Sequence, residues 1–281
     1  MKQRIITALI LAPLVVWGVF ELSIPFFIIA LTAVTVIGFW EWTQFVEPKS
    51  RQVSLIPSLL VLALSFLIFP FDTLHLSMVM QSHLWVLAAG SIWWVCASIL
   101  ALTYPKTISI WHGRISLRHA FGMLSLIPFL WAVFLLRAQD YAINPYHGAK
   151  LVMFVCLLVW AADTGAYFTG KAIGKHKMAP NVSPNKTLEG LFGGVVLAMI
   201  VGWFGSQLLN IHFSSLFAML AITFITVVIS VLGDLVESML KRVSNIKDSS
   251  NIIPGHGGIL DRIDSLMAAF PVFALLYFIC Q

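Results

Sequence analysis

The sequence has too little charge to cover a folded surface in water. Charged side chains make up 10% of its 281 residues, where a soluble domain carries about 25%. A water-borne globular domain is thereby excluded. Cysteine is scarce too. Cys96, Cys156 and Cys280 lie in apolar runs without CxxC spacing, which argues against a disulfide framework and against a thiolate metal site. There are no internal repeats, no low-complexity tracts and no long polar linkers. The net charge of +5 is no sign of nucleic-acid binding, because basic residues in a membrane protein first report topology.

What is abundant is apolar sequence, at 59% of residues and a mean hydropathy of +0.93. A bilayer is crossed by ~20 apolar residues. Such runs fall at about 5–20, 24–40, 53–71, 84–103, 119–137, 150–170, 190–210, 213–234 and 265–281. The first run follows basic residues, as in a signal peptide, but no small-residue cleavage site follows it, so it reads as the first helix. The expected fold is all-α: a polytopic integral membrane bundle of about nine transmembrane helices, one membrane domain over 1–281.

Lys and Arg test this count. With the N-terminus in the cytoplasm, the inside segments hold fifteen of them and the outside segments only Arg137 and Lys150. The stretch 72–83 has none. The C-terminus then lies outside. Loops 171–189 and 235–264 share the cytoplasmic face and, one helical hairpin apart, are expected to meet. Residues 1–110 read as scaffold, and 150–281 as the part carrying the site.

Two carboxylates are out of place. Asp163, in LLVWAADTGAYFTGK, lies near the end of the sixth span, and Asp234 ends the eighth. A carboxylate at mid-bilayer costs about 2.5–3.5 kcal/mol on insertion scales, so such residues are functional candidates. Asp234, Ser238 and Lys241 follow i, i+4, i+7 spacing and share one helical face, flanked by Glu237. A cation and a phosphate together would suit that stripe. A helix end facing water would also produce it.

The densest charge lies in KDSSNIIPGHGGILDRIDS, residues 247–265. Asp248, Asp261 and Asp264 accompany the basic residues Lys241, Arg242, Lys247 and Arg262. Gly255, Gly257 and Gly258 permit tight turns and a close approach of backbone N–H groups to an anion. Carboxylates, cations and glycines together fit a phosphate substrate bridged to Mg²⁺. His256 could donate to a phosphate or fix the turn. In the loop before the seventh span, Ser183-Pro184 reads as N-cap and first helical position. That puts Lys186, Thr187 and Glu189 in the first turns of a helix whose N-terminus suits a phosphate.

The run Ser238-x2-Lys241-Arg242-x4-Lys247-Asp248-x5-Pro254-x-His256-Gly257-Gly258-x2-Asp261-Arg262-x-Asp264 spans 27 residues. It resembles the pattern of the phosphatidate cytidylyltransferase (CDP-diacylglycerol synthase) family without a departure. Ser183-Pro184-Asn185-Lys186-Thr187-x-Glu189-Gly190 and Asp163-Thr164-Gly165-Ala166-Tyr167 resemble that family too. The first ~110 residues hold no motif that matches it.

The resemblance implies that CTP and phosphatidic acid give CDP-diacylglycerol and pyrophosphate, an Mg²⁺-dependent step of phospholipid biosynthesis, with K⁺ left open as a second cation. It implies Asp234, Asp261 and Asp163 as metal ligands, with Asp248 and Asp264 as further candidates. Lys241, Arg242, Lys247 and Arg262 would hold phosphates, and His256 would either donate to one or fix the glycine turn. Ser183, Lys186, Thr187, Glu189, Ser238, Gly257 and Gly258 would serve the nucleotide. The implied setting is the bacterial inner membrane, with the site facing the cytoplasm and a homodimer left open. A different lipid-phosphate or polyprenyl-phosphate transferase is the alternative enzyme. An ion-coupled transporter using Asp163 and Asp234 is the alternative outside enzymes.

Overall fold

The computed structural model describes residues 2–46, 50–69 and 81–281, with side chains from Thr7 onward except Ala8. Its helices are α1 (Lys2–Glu21), α2 (Ile24–Val46), α3 (Arg51–Ile68), α4 (Gln81–Leu102), α5 (Ile108–Trp111), α6 (Ile115–Ala138), α7 (His147–Ile173), α8 (Leu188–Leu208), α9 (Leu216–Val243) and α10 (Leu260–Ile279). Eight of them are long and apolar enough to cross a membrane, and α1 adds a shorter apolar stretch, Leu9–Glu21. The all-α polytopic bundle is therefore the observed fold, and each of the nine expected spans matches one long helix. Lys49 and most of the 72–83 stretch lie outside the described residues, as do the side chains of Lys2 and Arg4.

Three local expectations are corrected. The helix containing Asp234 does not stop there: α9 continues to Val243, so Asp234, Glu237, Ser238 and Lys241 all lie within it. Likewise α10 starts at Leu260, which puts Asp261 and Asp264 in its first turns and not ahead of it. In both places charged side chains partner one another, so polarity does not end the helix. Finally, Ser183 is not an N-cap. Strand β2 (Ser183–Thr187) pairs antiparallel with β1 (Lys177–Ala179), and Thr187 caps α8, its hydroxyl accepting from Gly190 N at 3.1 Å. Pro184, lacking an N–H, is tolerated in so short a ribbon.

Helices α6 and α10 occupy the middle. The second half of α6, from Ser125 to Ala138, is buried throughout, as are Met267, Ala268, Ala269, Phe270, Phe273 and Ala274 of α10. Small residues set the closest approach of α7 to α8. A Cβ on Gly165 would lie 2.6 Å from Gly193 O, and one on Gly194 would lie 2.6 Å from Ala162 O. Dispersion between nearly touching backbones drives such pairing in lipid, where apolar burial contributes little.

Arg137, buried at the end of α6, ties the far end together. Its guanidinium donates to Val19 O at 2.6 Å, Leu22 O at 3.1 Å and Pro145 O at 3.2 Å. The first two are carbonyls left open where α1 ends. At the opposite end, Trp42 Nε1 donates to Arg118 O at 2.9 Å and Arg118 donates to Phe45 O at 3.0 Å, joining the end of α2 to the start of α6.

Candidate active site

Late α2, late α7, the 177–187 hairpin, the second half of α9 and the start of α10 meet at this end. The two loops expected to touch do so. Lys186 Nζ lies 2.6 Å from Asp234 Oδ2, and Arg242 Nε donates to Val182 O at 3.2 Å. Ser238 donates to Asp234 Oδ1 at 3.2 Å, as the i, i+4 spacing requires. Asp163, exposed on α7, lies within Coulombic range of Asp234, Asp264 and Lys186.

Asp261 has a different set of partners. Lys241 Nζ is 2.8 Å from its Oδ1 and 3.2 Å from Glu237 Oε2. Its Oδ2 accepts from Ser249 N at 2.8 Å, Ser249 Oγ at 2.9 Å and Gly258 N at 2.8 Å. The anion approached by the glycine turn is thus the protein's own carboxylate. Gly257 has φ +84, and a Cβ there would lie 2.6 Å from Asp261 Oδ2, so the turn admits only glycine. Asp234 and Asp261, expected to converge on one ion, are held by separate lysines.

Glu237 completes the cluster. It is 1% exposed, and its Oε1 has no hydrogen-bond partner. Beside it stands the Asp264 carboxyl, an acceptor like itself. A buried, unsatisfied oxygen facing a second carboxyl needs a proton or a cation. Hard oxygen donors of this kind fit Mg²⁺. Among the described residues no three acidic, imidazole or thiol side chains converge as a ready metal cage, and Lys186 and Lys241 pair with three of the carboxylates, Asp234, Glu237 and Asp261.

The loop between α9 and α10 encloses a cavity of about 510 Å³ lined by Lys247, Asp248, Asn251, His256 and Arg262, among others. The His256 N–H closes the turn on Ile253 O at 2.9 Å, while its buried Nδ1 has no partner. Glu189 accepts from the backbone N–H of Lys175 at 3.0 Å and contacts His176 Nδ1 at 2.5 Å. It therefore fastens the hairpin to α8. Ser183, in β2, is half-buried.

Sequence reasoning missed Glu41. This α2 carboxylate is fully buried and accepts from Ser249 Oγ, Ser250 Oγ, Ile259 N and Leu260 N at 2.6–3.1 Å. The signal was present in GFWEWTQF, a carboxylate in an apolar run like those that singled out Asp163 and Asp234. Ending the second span at residue 40 left it out.

Residues 2–280 match the model of the cytidylyltransferase family. The chain belongs to that family. Cytidylyltransferases are nucleotidyltransferases, so it is an enzyme and not a transporter. A Haemophilus influenzae protein named phosphatidate cytidylyltransferase is 42% identical over 289 residues, covering 99% of each chain. A Pseudomonas aeruginosa protein of that name is 41% identical over 98% of this chain and 96% of its own. One from Bacillus subtilis is 44% identical over 133 residues, 47% of this chain and 48% of its own.

Proposed function

We propose that this cytidylyltransferase transfers the cytidylyl group of CTP to phosphatidic acid, releasing pyrophosphate, in phospholipid biosynthesis. The observation that carries this is the Lys186–Asp234 pair at 2.6 Å. It joins the hairpin to a carboxylate cluster on membrane helices, beside a cavity bearing Lys247, His256 and Arg262. The names of the full-length relatives support phosphatidate as the acceptor.

A phosphate oxygen of the lipid forms a bond to the α-phosphorus of CTP, and the bond from that phosphorus to the bridging oxygen breaks. Pyrophosphate takes the electron pair. The nucleophile is already an anion, so the protein need not supply a strong base. Its task is to bring anions together and to hold charge on the leaving group. Lys247, Arg262 and His256 suit the polyphosphate. Lys241, Arg242 and Lys186 sit where cations flank the carboxylates.

Asp234, Asp264 and Asp163 would hold Mg²⁺, with Glu237 beside them. When bound, Mg²⁺ would neutralise phosphate charge and orient the transferred group. Asp234 would first give up Lys186, and Asp261 would join them only by releasing Lys241. The distribution of Lys and Arg favours a cytoplasmic face of the bacterial inner membrane, where CTP arrives from water.

The test is pyrophosphate release by purified protein in detergent with CTP, Mg²⁺ and one lipid phosphate at a time. Release is expected with phosphatidic acid and not with a polyprenyl phosphate. The reverse preference would replace phosphatidate by the polyprenyl acceptor.

A further inference from the structure

Glu41 belongs to α2, over two hundred residues ahead of the loop it holds. Its two oxygens take four donors. Ser250 Oγ and Ile259 N reach Oε1 at 2.6 and 2.9 Å, and Ser249 Oγ and Leu260 N reach Oε2 at 3.1 and 2.7 Å. Ile259 and Leu260 open α10, so the carboxylate binds the free N–H groups and faces the positive dipole end of that helix. One turn along α2, the Gln44 amide donates to Ser249 O.

The glycine next to Ile259 is shaped to this contact. A Cβ on Gly258 would lie 2.4 Å from Glu41 Oε1 and 2.0 Å from Ser249 Oγ. Ser249 Oγ stands between two carboxylates, 3.1 Å from Glu41 and 2.9 Å from Asp261, and has one proton to donate. Asp261 in turn holds Lys241 at 2.8 Å. Contacts therefore run unbroken from α2 through the loop to a cation of the site.

We propose that Glu41 is a positioning residue for the nucleotide. It fixes the loop that carries Lys247, His256 and Arg262, and through Ser249 it orients Asp261 and Lys241. Glu41 touches no reacting atom. It determines whether the phosphate-binding groups of the loop stand ready before CTP arrives. A bare helix cap would add stability alone. A positioning residue also sets nucleotide affinity. The nucleotide part rests on the CTP reading above; the loop part does not.

Two variants test this: Glu41→Gln, which keeps the shape and loses the charge, and Ser250→Ala, which removes one donor from the loop side. Tryptic cleavage at Lys247, which is exposed, reads loop closure without substrate. Both variants should be cut there faster than the parent. Their KM for CTP should rise by about tenfold or more, with the KM for phosphatidic acid within about twofold; the melting temperature in detergent should fall for Glu41→Gln, whose amide loses charged hydrogen bonds to buried N–H groups. Unchanged cleavage and unchanged KM for CTP, with or without a lower melting temperature, would make Glu41 a helix cap only and overturn the proposal. If Glu41→Gln does not fold, Ser250→Ala decides by the same two measurements. A parent inactive with CTP but with a loop opened in both variants would fault the substrate assignment and retain the loop role.

Discussion

Lys186 Nζ and Asp234 Oδ2 stand 2.6 Å apart, one from a two-stranded hairpin and the other from inside a membrane helix. Both are partly exposed, at 23% and 29%. The pair is reachable from outside the bundle and can exchange partners when a substrate enters. Lys186→Ala should therefore raise the KM for CTP more than that for phosphatidic acid. Steady-state kinetics with each substrate varied in turn checks it. A change confined to the lipid KM would reassign the hairpin.

Asp234→Asn and Asp264→Asn should each lower kcat by roughly 10²-fold or more, the range for losing a major electrostatic contact in the transition state. Removing both should cost little more than removing one, because groups acting through one ion fail together. Asp261→Asn should lose activity by another route. Its carboxylate gathers Lys241, Ser249 and Gly258, so tryptic cleavage at Lys247 should also speed up, which Asp264→Asn should not cause.

Gly258→Ala should be worse than its size implies. The new methyl carbon would lie 2.0 Å from Ser249 Oγ and 2.4 Å from Glu41 Oε1, and moving either buried group breaks hydrogen bonds to Asp261 or to the start of α10. A destabilisation of about 1–3 kcal/mol is expected from overpacking, together with loss of activity. Thermal unfolding in detergent measures the first, and pyrophosphate release the second. A variant with parental stability and rate would show that the loop repacks freely.

Arg137→Met should separate stability from catalysis. It strips donors from three carbonyls, the buried Val19 O and the partly buried Leu22 O and Pro145 O, at a cost of about 2–4 kcal/mol for charged hydrogen bonds lost together. Leu22 precedes the first residue of α2, and Glu41 lies towards the other end of that helix, roughly 25 Å away by helical rise. The rate per folded molecule should therefore hold while the melting temperature falls. Active-site titration alongside thermal unfolding checks both.

Topology is tested by labelling. In a chain without its native cysteines, Cys at Gln81 should react with an impermeant thiol reagent from outside, and Cys at Asn251 should not. Both positions are exposed at helix ends or loops. Modification of both from the same side would refute the assigned orientation.

Hydropathy alone located the long helices, because a bilayer demands ~20 apolar residues and each run stands out. Polar detail was harder to read. Ser183-Pro184 has the composition of a helix start, but the chain pairs it with Lys177–Ala179, a tertiary choice no local pattern records. The PGHGG turn was legible as a place where backbone N–H groups approach an anion, but the spacing does not say that the anion at Gly258 N is the protein's own Asp261. Glu237 was seen only as a flank of the Asp234 stripe, since nothing in the spacing says that one of its oxygens is left without a partner. Glu41 stands one residue past the end of the second span as read from hydropathy, and its donors, over two hundred positions away, leave no local mark of what it holds.

The central place of α10 has a consequence for biogenesis. It is the last of the described helices in chain order, and it packs against α2, α4, α6, α7 and α9. Until it inserts, Glu41 waits in the nascent bundle without the N–H groups of Ile259 and Leu260, and Lys241 lacks Asp261. A buried carboxylate left without its donors carries the cost of an unpaired charge, so the half-made chain is held above its final state until α10 arrives. Insertion of that helix relieves the cost and assembles the cluster in one event. A chain arrested after α9 is therefore not a slower enzyme but an unfinished one, its Glu41 and Lys241 without the partners that the start of α10 brings.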